Sequence, residues 1–383
     1  MQQLKELDFL TRDYCKELTK NSEVFYCSES IKEGHEVEIY NYRLASYNDF
    51  NDNNAFELRG ITFINYDGVW KRFLALEKFF NVNQCEAWSE NILKTKKIQS
   101  VQNKEDGSLI QFIPFEGSAG KVFYAKSKMS FDSDQAKMAQ ELFNNNSNLR
   151  KFVLNAFNDG YTVISELVSP KNQIVLSYDT TELRVLQIRN LDTGTYLKWD
   201  KESISYIESK GLICAAQQEL IPLDELLNLK TSMQAIEGWV VTFEDGMKAK
   251  IKTDWYLSLH GLVSETAENL LIETILNDEI DDVIGRVQGE KLDFILEVTK
   301  KVQHKFNHLV VEYKELRRKY FQDFEEDRKK FATKHSKDRL FFAVMKELNT
   351  SFKDVEEIAE KRVKEYILKQ TNSLTNAQLW LKD

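Results

Sequence analysis

Two lysine-bearing stretches have residue types and spacings suited to chemistry on a phosphate. The first is NKEDGSLIQF (103–112), in which Lys104, Glu105, Asp106 and Gly107 precede an apolar run. Taken alone, Asp-Gly reads as a hairpin turn, because glycine tolerates positive φ. The alternative is a lysine nucleophile held on a tight turn, which attacks an α-phosphate and forms a phosphoramidate. A lysine at its ordinary pKa is protonated and cannot attack; neighbouring cations lower that pKa, and a bound divalent ion lowers it further. The second stretch is KAKIKTDWY (248–256). Lys250 and Lys252 are two apart on an expected strand, so they share a face and can both meet a phosphate. Glu166 in VISELVSP and Glu237 in AIEGWVV lie within or beside apolar strand runs, where a carboxylate without a partner is costly. Two such carboxylates near a lysine nucleophile point to sugar contact or metal coordination. Hard oxygen donors and the lack of a soft-ligand cluster favour Mg2+.

The K-x-D-G string alone is a weak signal. Its order with ELRGITF (57–63), LEKFFN (76–81), YAKSKMS (124–130), LRVLQIRN (183–190) and KIKTDWYLSLH (250–260) is much more specific. In that order the motifs resemble the covalent nucleotidyltransferase superfamily of ATP-dependent ligases and capping enzymes. Within it they are most similar to the RNA ligase 1 family of T-even-like phages. The resemblance runs strongly from Arg59 to His260 and loosely through the remainder; Met129 and Leu167 depart from the family pattern. It implies that Lys104 carries AMP, that Lys250 and Lys252 sit on the α-phosphate, and that Arg59 and Lys78 hold the departing phosphates. It further implies Glu166 on the ribose, Glu237 and Asp281 at the metal and triphosphate, and Phe80, Glu105, Gly107, Lys128 and Tyr256 in the ATP site. The implied cofactors are ATP and Mg2+, with Mn2+ able to substitute. The implied reaction seals a 5′-phosphate to a 3′-hydroxyl RNA end through lysyl-AMP and adenylylated RNA. The implied partner is a tRNA broken in its anticodon loop, and the implied setting is the cytoplasm of a phage-infected host. DNA ligases and capping enzymes share these motifs but usually append an OB-fold, and a non-catalytic nucleotide- or RNA-binding protein is the rival outside enzymes.

The elements that must position these residues divide the chain into two textures. Short β-branched and aromatic runs such as EVEIYNY, RGITFINYDGVWKRF, IVLSY and EGWVVTFEDGMKAKIK alternate with turns up to Lys252. Helices are expected near Ser133–Phe143, Leu149–Asn158 and Asp200–Ser209. Without a strict βαβ rhythm, this is an α+β domain with largely antiparallel sheets, the nucleotidyltransferase type by resemblance, over residues 1–256. From 257 to 383 the apolar spacing is helical throughout, which reads as a separate helical domain for RNA recognition; one long helical stretch covers Glu290 to His335. A net charge of −9 excludes nucleic-acid binding through bulk charge, so any such site is local or assisted by metal ions. Cys15, Cys27, Cys85 and Cys214 are scattered without CxxC pairing, which fits a reducing compartment and argues against structural zinc. The start, MQQLKELDFLTRDYCKEL, reads as an amphipathic helix and lacks a signal peptide's apolar core; no apolar run is long enough to span a membrane. Nothing in the pattern requires an obligate protein partner.

Overall fold

The computed structural model describes residues 7–117, 120–172, 176, 178–259, 268–285, 287, 289–348 and 355–382. Its strands are β1 (Phe25–Lys32), β2 (His35–Tyr42), β3 (Ile61–Tyr66), β4 (Val69–Phe73), β5 (Phe80–Asn81), β6 (Ile98–Asn103), β7 (Ser108–Gly117), β8 (Gly120–Lys126), β9 (Tyr161–Val168), β10 (Glu182–Asn190), β11 (Ile213–Cys214), β12 (Gly238–Phe243) and β13 (Lys248–Lys252). They form three sheets: β1-β2-β3-β4, β11-β10-β9-β7-β8 and β5-β13-β12-β6. Pairing is antiparallel except between β10 and β11 and between β13 and β5. The expected α+β class with largely antiparallel sheets is therefore what the chain forms. The strand expected at IVLSY (174–178) falls largely outside the described residues.

The helices among the strands are α1 (Arg12–Lys20), α2 (Tyr47–Asp52), α3 (Glu90–Leu93), α4 (Asp134–Asn145), α5 (Ser147–Asn158), α6 (Lys201–Ser209), α7 (Leu223–Leu229) and α8 (Asp254–Leu259). The three helices expected from the sequence begin within two residues of their expected starts. Each is capped by a side chain: Ser133 accepts from Ala136 N–H, Asn146 from Leu149 N–H and Asp200 from Ser203 N–H. Of the helix expected over MQQLKELDFLTRDYCKEL, residues 1–6 lie outside the described residues; Leu7–Phe9 form a 3-10 turn, and α1 begins at Arg12, where Thr11 accepts from the Tyr14 N–H. α4, α5 and α6 cover the second sheet, and the core between them holds Phe112, Phe143, Val163, Ile188 and Trp199. α7 covers the third sheet with Leu223 and Leu226 against Val101, Val241 and Phe243.

Beyond α8 the described residues form helices only: α9 (Glu268–Leu276), α10 (Ile280–Ile284), α11 (Glu290–Gln322), α12 (Arg328–His335), α13 (Phe341–Glu347), α14 (Val355–Gln370) and α15 (Leu374–Lys382). The long helical stretch expected from Glu290 to His335 is interrupted. Glu325 and Glu326 take positive φ (47° and 63°), which an α-helix cannot hold, and Asp327 then caps α12 through the Lys329 and Lys330 N–H groups. α11 packs Val302, Phe306, Val310 and Tyr313 into a core with Ile358, Val363 and Ile367 of α14. Leu44 of the sheet region joins that core, and its neighbour Arg43 pairs with Glu356 and with Glu360 (3.2 Å) on α14. Among the described residues no helix is long and apolar enough to cross a membrane.

One buried ion pair ties the first sheet's loop to the second sheet. Arg189 of β10 forms two parallel bonds to Glu57, at 2.9 and 2.5 Å, and also donates to the Ala75 and Gly194 carbonyls. Both side chains are almost fully buried, so removing Arg189 strands the Glu57 charge, and removing Glu57 leaves Arg189 only the longer contact to Glu77, at 3.7 Å, among the described residues. Glu57→Gln should cost about 3–5 kcal/mol in chemical denaturation, whereas replacing both residues with apolar groups of similar size should cost less. A Glu57→Gln loss below about 1 kcal/mol would show that the pair does not hold the two sheets.

Candidate active site

The register of the third sheet sets the site in rows. Gly238 pairs with Lys252 while Trp239 pairs with Asn103, so Lys104 emerges beside Gly238 at the level of Lys252. The Lys104 N–H donates to the Gly238 carbonyl at 2.9 Å. The next row is Gln102, Val240 and Lys250, and the one after it Ser100, Thr242 and Lys248. Lys248, Lys250 and Lys252 share one face of β13, while Ala249 and Ile251 turn into the core. Lys248 was carried by the same period-two signal as its neighbours but was not singled out from sequence. Its ammonium lies 2.8 Å from Glu77 and 3.4 Å from the ring centre of Tyr196.

The K-E-D-G segment is not a hairpin turn. It carries the chain from β6 in the third sheet to β7 in the second, so Lys104 stands at the seam between two sheets. Two glycines make this seam close. At Gly238, φ is +150° and an added Cβ would lie 1.9 Å from the Ile251 carbonyl oxygen. At Gly107 a Cβ would come within 2.2 Å of the Leu167 carbonyl oxygen. That approach lets Ser108 and Leu109 pair with Leu167 and Glu166, which brings Glu166 alongside the lysine. The two acids of the motif are clamps. Asp106 accepts from the Leu176 N–H at 2.6 Å and from the Tyr256 hydroxyl at 2.8 Å; Glu105 binds Arg184 at 2.7 Å and accepts from the Tyr178 hydroxyl at 3.2 Å.

A cavity of about 430 Å³ opens over this seam. Lys104, Glu105, Gly107 and Glu166 line it, and Arg59, Lys128, Lys250 and Lys252 add four basic side chains. Five expected site residues stand outside its wall. Glu237 is 2% exposed and bridges two lysines, with Oε2 2.8 Å from Lys104 Nζ and Oε1 3.2 Å from Lys252 Nζ. Lys78 pairs with Asp281 at 3.3 Å, and it is Asp282, not Asp281, that joins Glu237 on Lys252, at 2.8 Å. Tyr256 donates its hydroxyl to Asp106. Phe80, expected at the pocket, is fully buried among Tyr47, Phe50, Phe56 and Trp88. Strand neighbours face opposite ways, and it is Phe79 that lines the cavity. Lys126 is also buried; its ammonium donates to the Gly60 and Ser127 carbonyls, which fixes the backbone beside Arg59.

Burial and charge act unequally on these groups. Burial, with Lys78 nearby, pushes Lys250 down to about 7. For Lys252 burial acts in the same direction, but Asp282 and Glu237 outweigh it and hold the ammonium above its ordinary value. Burial pushes the Glu166 carboxyl up to about 8, with Lys104 opposing. Among the described residues no three His, Cys, Asp or Glu side chains gather as a metal cage. A magnesium ion carried by phosphates needs less, since it keeps several waters and takes one or two carboxylates. Glu237 fits that demand: its Oε2 is buried and has no aligned hydrogen-bond donor, although Lys104 lies close by.

Among the described residues Lys250 has no ion-pair partner, so a polyphosphate laid against it should restore its proton. The sign follows from a folded pKa near 7 against an ordinary value of 10.5. At about pH 8 the free chain holds Lys250 mostly neutral, and pyrophosphate binding should take up close to one proton more in the wild-type chain than in Lys250→Met, the ligand's own protons being common to both. Toward about pH 6 that difference should vanish, because Lys250 is then charged before binding. Titration calorimetry in buffers of different ionisation enthalpy measures the uptake of each protein. Equal uptake by the two proteins would place the titrating group elsewhere.

Comparison with known proteins identifies the family of the chain. The RNA ligase family model matches residues 57–256, more than half of the chain. A protein of Thermovibrio ammonificans named "Putative RNA ligase" is 28% identical over 267 residues, covering 67% of each chain. RNA ligase 1 of bacteriophage TS2126 is 25% identical over 246 residues, 62% of this chain and 60% of that one, so the match spans less than two thirds of this relative. A solved structure of a Naegleria gruberi RNA ligase mutant with ATP and Mn is 13% identical at a TM-score of 0.38, covering 63% of this chain and 94% of that one, a likeness too slight to carry an argument. The matched segment contains Lys104, Glu166, Glu237, Lys250 and Lys252, the residues that meet at the seam between the sheets, and the chain belongs to the RNA ligase family.

Proposed function

We propose that the chain is an ATP-dependent RNA ligase whose nucleotidyltransferase unit spans residues 1–256. The observation that carries this reading is Lys104 at a cavity wall shared with Arg59, Lys128, Lys250 and Lys252, in a chain of the RNA ligase family. The Lys104 nitrogen, having given up a proton, attacks the α-phosphorus of ATP. A P–N bond forms, the bond to the bridging oxygen breaks, and pyrophosphate leaves. AMP then passes to an RNA 5′-phosphate, which frees the amine. A 3′-hydroxyl attacks the activated end, the phosphodiester forms, and AMP departs. Lys250 and Lys252 spread the charge of the transferring phosphoryl group, while Arg59 and Lys78 hold the departing phosphates in line. Glu166 faces the ribose. Glu237 is the residue that would hold Mg2+, with Mn2+ as a substitute, and the ion when bound adds positive charge at the phosphate oxygens. Asp281, kept at the triphosphate end by Lys78, supplies the second acid.

The helical residues 257–383 are the RNA-recognising unit in this proposal, and a tRNA broken in its anticodon loop is the substrate. Support comes from a core that is theirs apart from Leu44, and from α12, which opens with Arg328, Lys329 and Lys330. Since the chain as a whole is acidic, such local cations and shape recognition carry the contact. Four free cysteines fit a cytoplasmic setting.

Lys104→Ala should abolish covalent labelling by ATP yet still seal RNA supplied already adenylylated, because that step does not use the amine as nucleophile. Lys252→Ala or Glu237→Ala should lower lysyl-AMP formation by about 10²-fold or more. Labelling that survives in Lys104→Ala would end this reading. Replacing Arg328, Lys329 and Lys330 together with alanine should weaken sealing of a broken tRNA several-fold at moderate salt, with lysyl-AMP formation unchanged; equal sealing of tRNA by both proteins would remove α12 from the RNA contact.

A further inference from the structure

The cavity also holds a pair of glutamines for which phosphoryl transfer has no use. Gln102 on β6 and Gln187 on β10 both line it, and each is only 4% exposed. Neighbours on a regular strand face opposite sides, yet Leu186 and Gln187 both reach the cavity wall. The reason is an irregularity in β10. Val185 pairs with Ser165 and Gln187 with Ile164, so Leu186 is an extra residue in the ladder.

The Leu186 carbonyl accepts from Gln102 Nε2 at 3.1 Å. This bond removes the usual ambiguity of a glutamine amide, because a backbone carbonyl can only accept. Gln102 Oε1 must then point toward Gln187, where it accepts from Gln187 Nε2 at 3.0 Å. Two bonds in series leave a single atom over: Gln187 Oε1 is buried and has no hydrogen-bond partner among the described residues. An acceptor left so is costly until a donor meets it.

The position of the relay says which donor. Gln102 precedes Lys104 by two residues, about 6–7 Å along an extended strand. That is near the span from the α-phosphate of a nucleotide to its base. Val240, next to Gln102 in the sheet, and Leu76, Phe79 and Leu186 give this part of the wall the apolar surface a flat ring requires.

We propose that Gln187 selects the base, its Oε1 accepting from the exocyclic amine of adenine, with Gln102 and the Leu186 carbonyl as the groups that fix its orientation. The inference rests on the ATP-dependent reading above. A purine carrying a carbonyl at that position would oppose acceptor to acceptor and leave both unpaired, which is the most effective form of rejection.

The test is lysyl-nucleotide formation by the full chain with three triphosphates: ATP, purine riboside triphosphate, which lacks the exocyclic group, and inosine triphosphate, which carries a carbonyl there. The wild-type chain should favour ATP about tenfold over purine riboside triphosphate and a further tenfold or more over inosine triphosphate. Gln187→Leu should bring ATP and purine riboside triphosphate to within roughly twofold of each other. Gln102→Leu should free the Gln187 amide to turn its Nε2 toward the base, raising inosine triphosphate relative to ATP. All three readouts are ratios within one preparation, so partial loss of folded protein cancels. Equal use of ATP and purine riboside triphosphate by the wild-type chain, or an ATP preference that survives in Gln187→Leu, overturns the inference alone. A wild-type chain that takes no label from any of the three overturns the ligase reading and this inference with it.

Discussion

The interaction on which the site depends is the bridge from Glu237 to both Lys104 and Lys252. Lys104, Lys250 and Lys252 line one cavity together with Lys128 and Lys248, and ammonium groups so placed repel one another and lose hydration. One carboxylate, itself almost wholly buried, offsets two of them. The bridge is possible only because Gly238 lets β12 and β13 lie so close that no side chain fits between them. Lys250, which has no such partner among the described residues, responds to burial by giving up its charge near neutral pH. The site is therefore an incomplete charge balance, which the polyphosphate of the proposed reaction would complete.

The same need for balance binds the helical tail to the sheets. α10 delivers Asp281 to Lys78 and Asp282 to Lys252, while Glu356 and Glu360 of α14 meet Arg43. Apolar contact contributes at Leu44, which enters the tail's core beside Arg43. Charges at this junction are partly buried, so each is costly without its partner. Lys78 and Lys252, which the proposed reaction sets on the phosphates, are thus the same side chains that pair with the tail.

The chemistry was far more legible in the sequence than the architecture that delivers it. Lys250 and Lys252 share a face because a strand repeats every two residues, and that is visible in K-A-K-I-K without coordinates. The same rule would have added Lys248. Helix starts at Ser133 and Asp200 were readable because capping is local, and the one expected at Leu149 lies two residues past the observed start at Ser147. What spacing could not show is what depends on distant partners. The K-E-D-G segment looks like a turn and is a passage between sheets. Glu57 and Arg189 meet across 132 residues. The choice between Phe79 and Phe80, or between Asp281 and Asp282, is a matter of one residue, decided by β5 pairing with β13 and by where α10 packs. β6, with serine and glutamine in place of apolar residues, gives little strand signal, yet its glutamine belongs to the relay at the cavity wall.

Locating the covalent nucleotide tests the central claim most directly. After incubation with ATP and Mg2+, the chain would be digested and its peptides sequenced by mass spectrometry under conditions that preserve phosphoramidates. The expected result is a single AMP adduct, on the nitrogen of Lys104, which pyrophosphate reverses. An adduct on another residue, or none in protein that binds ATP, would contradict the account of Lys104 as the group around which the cavity, its lysines and Glu237 are arranged.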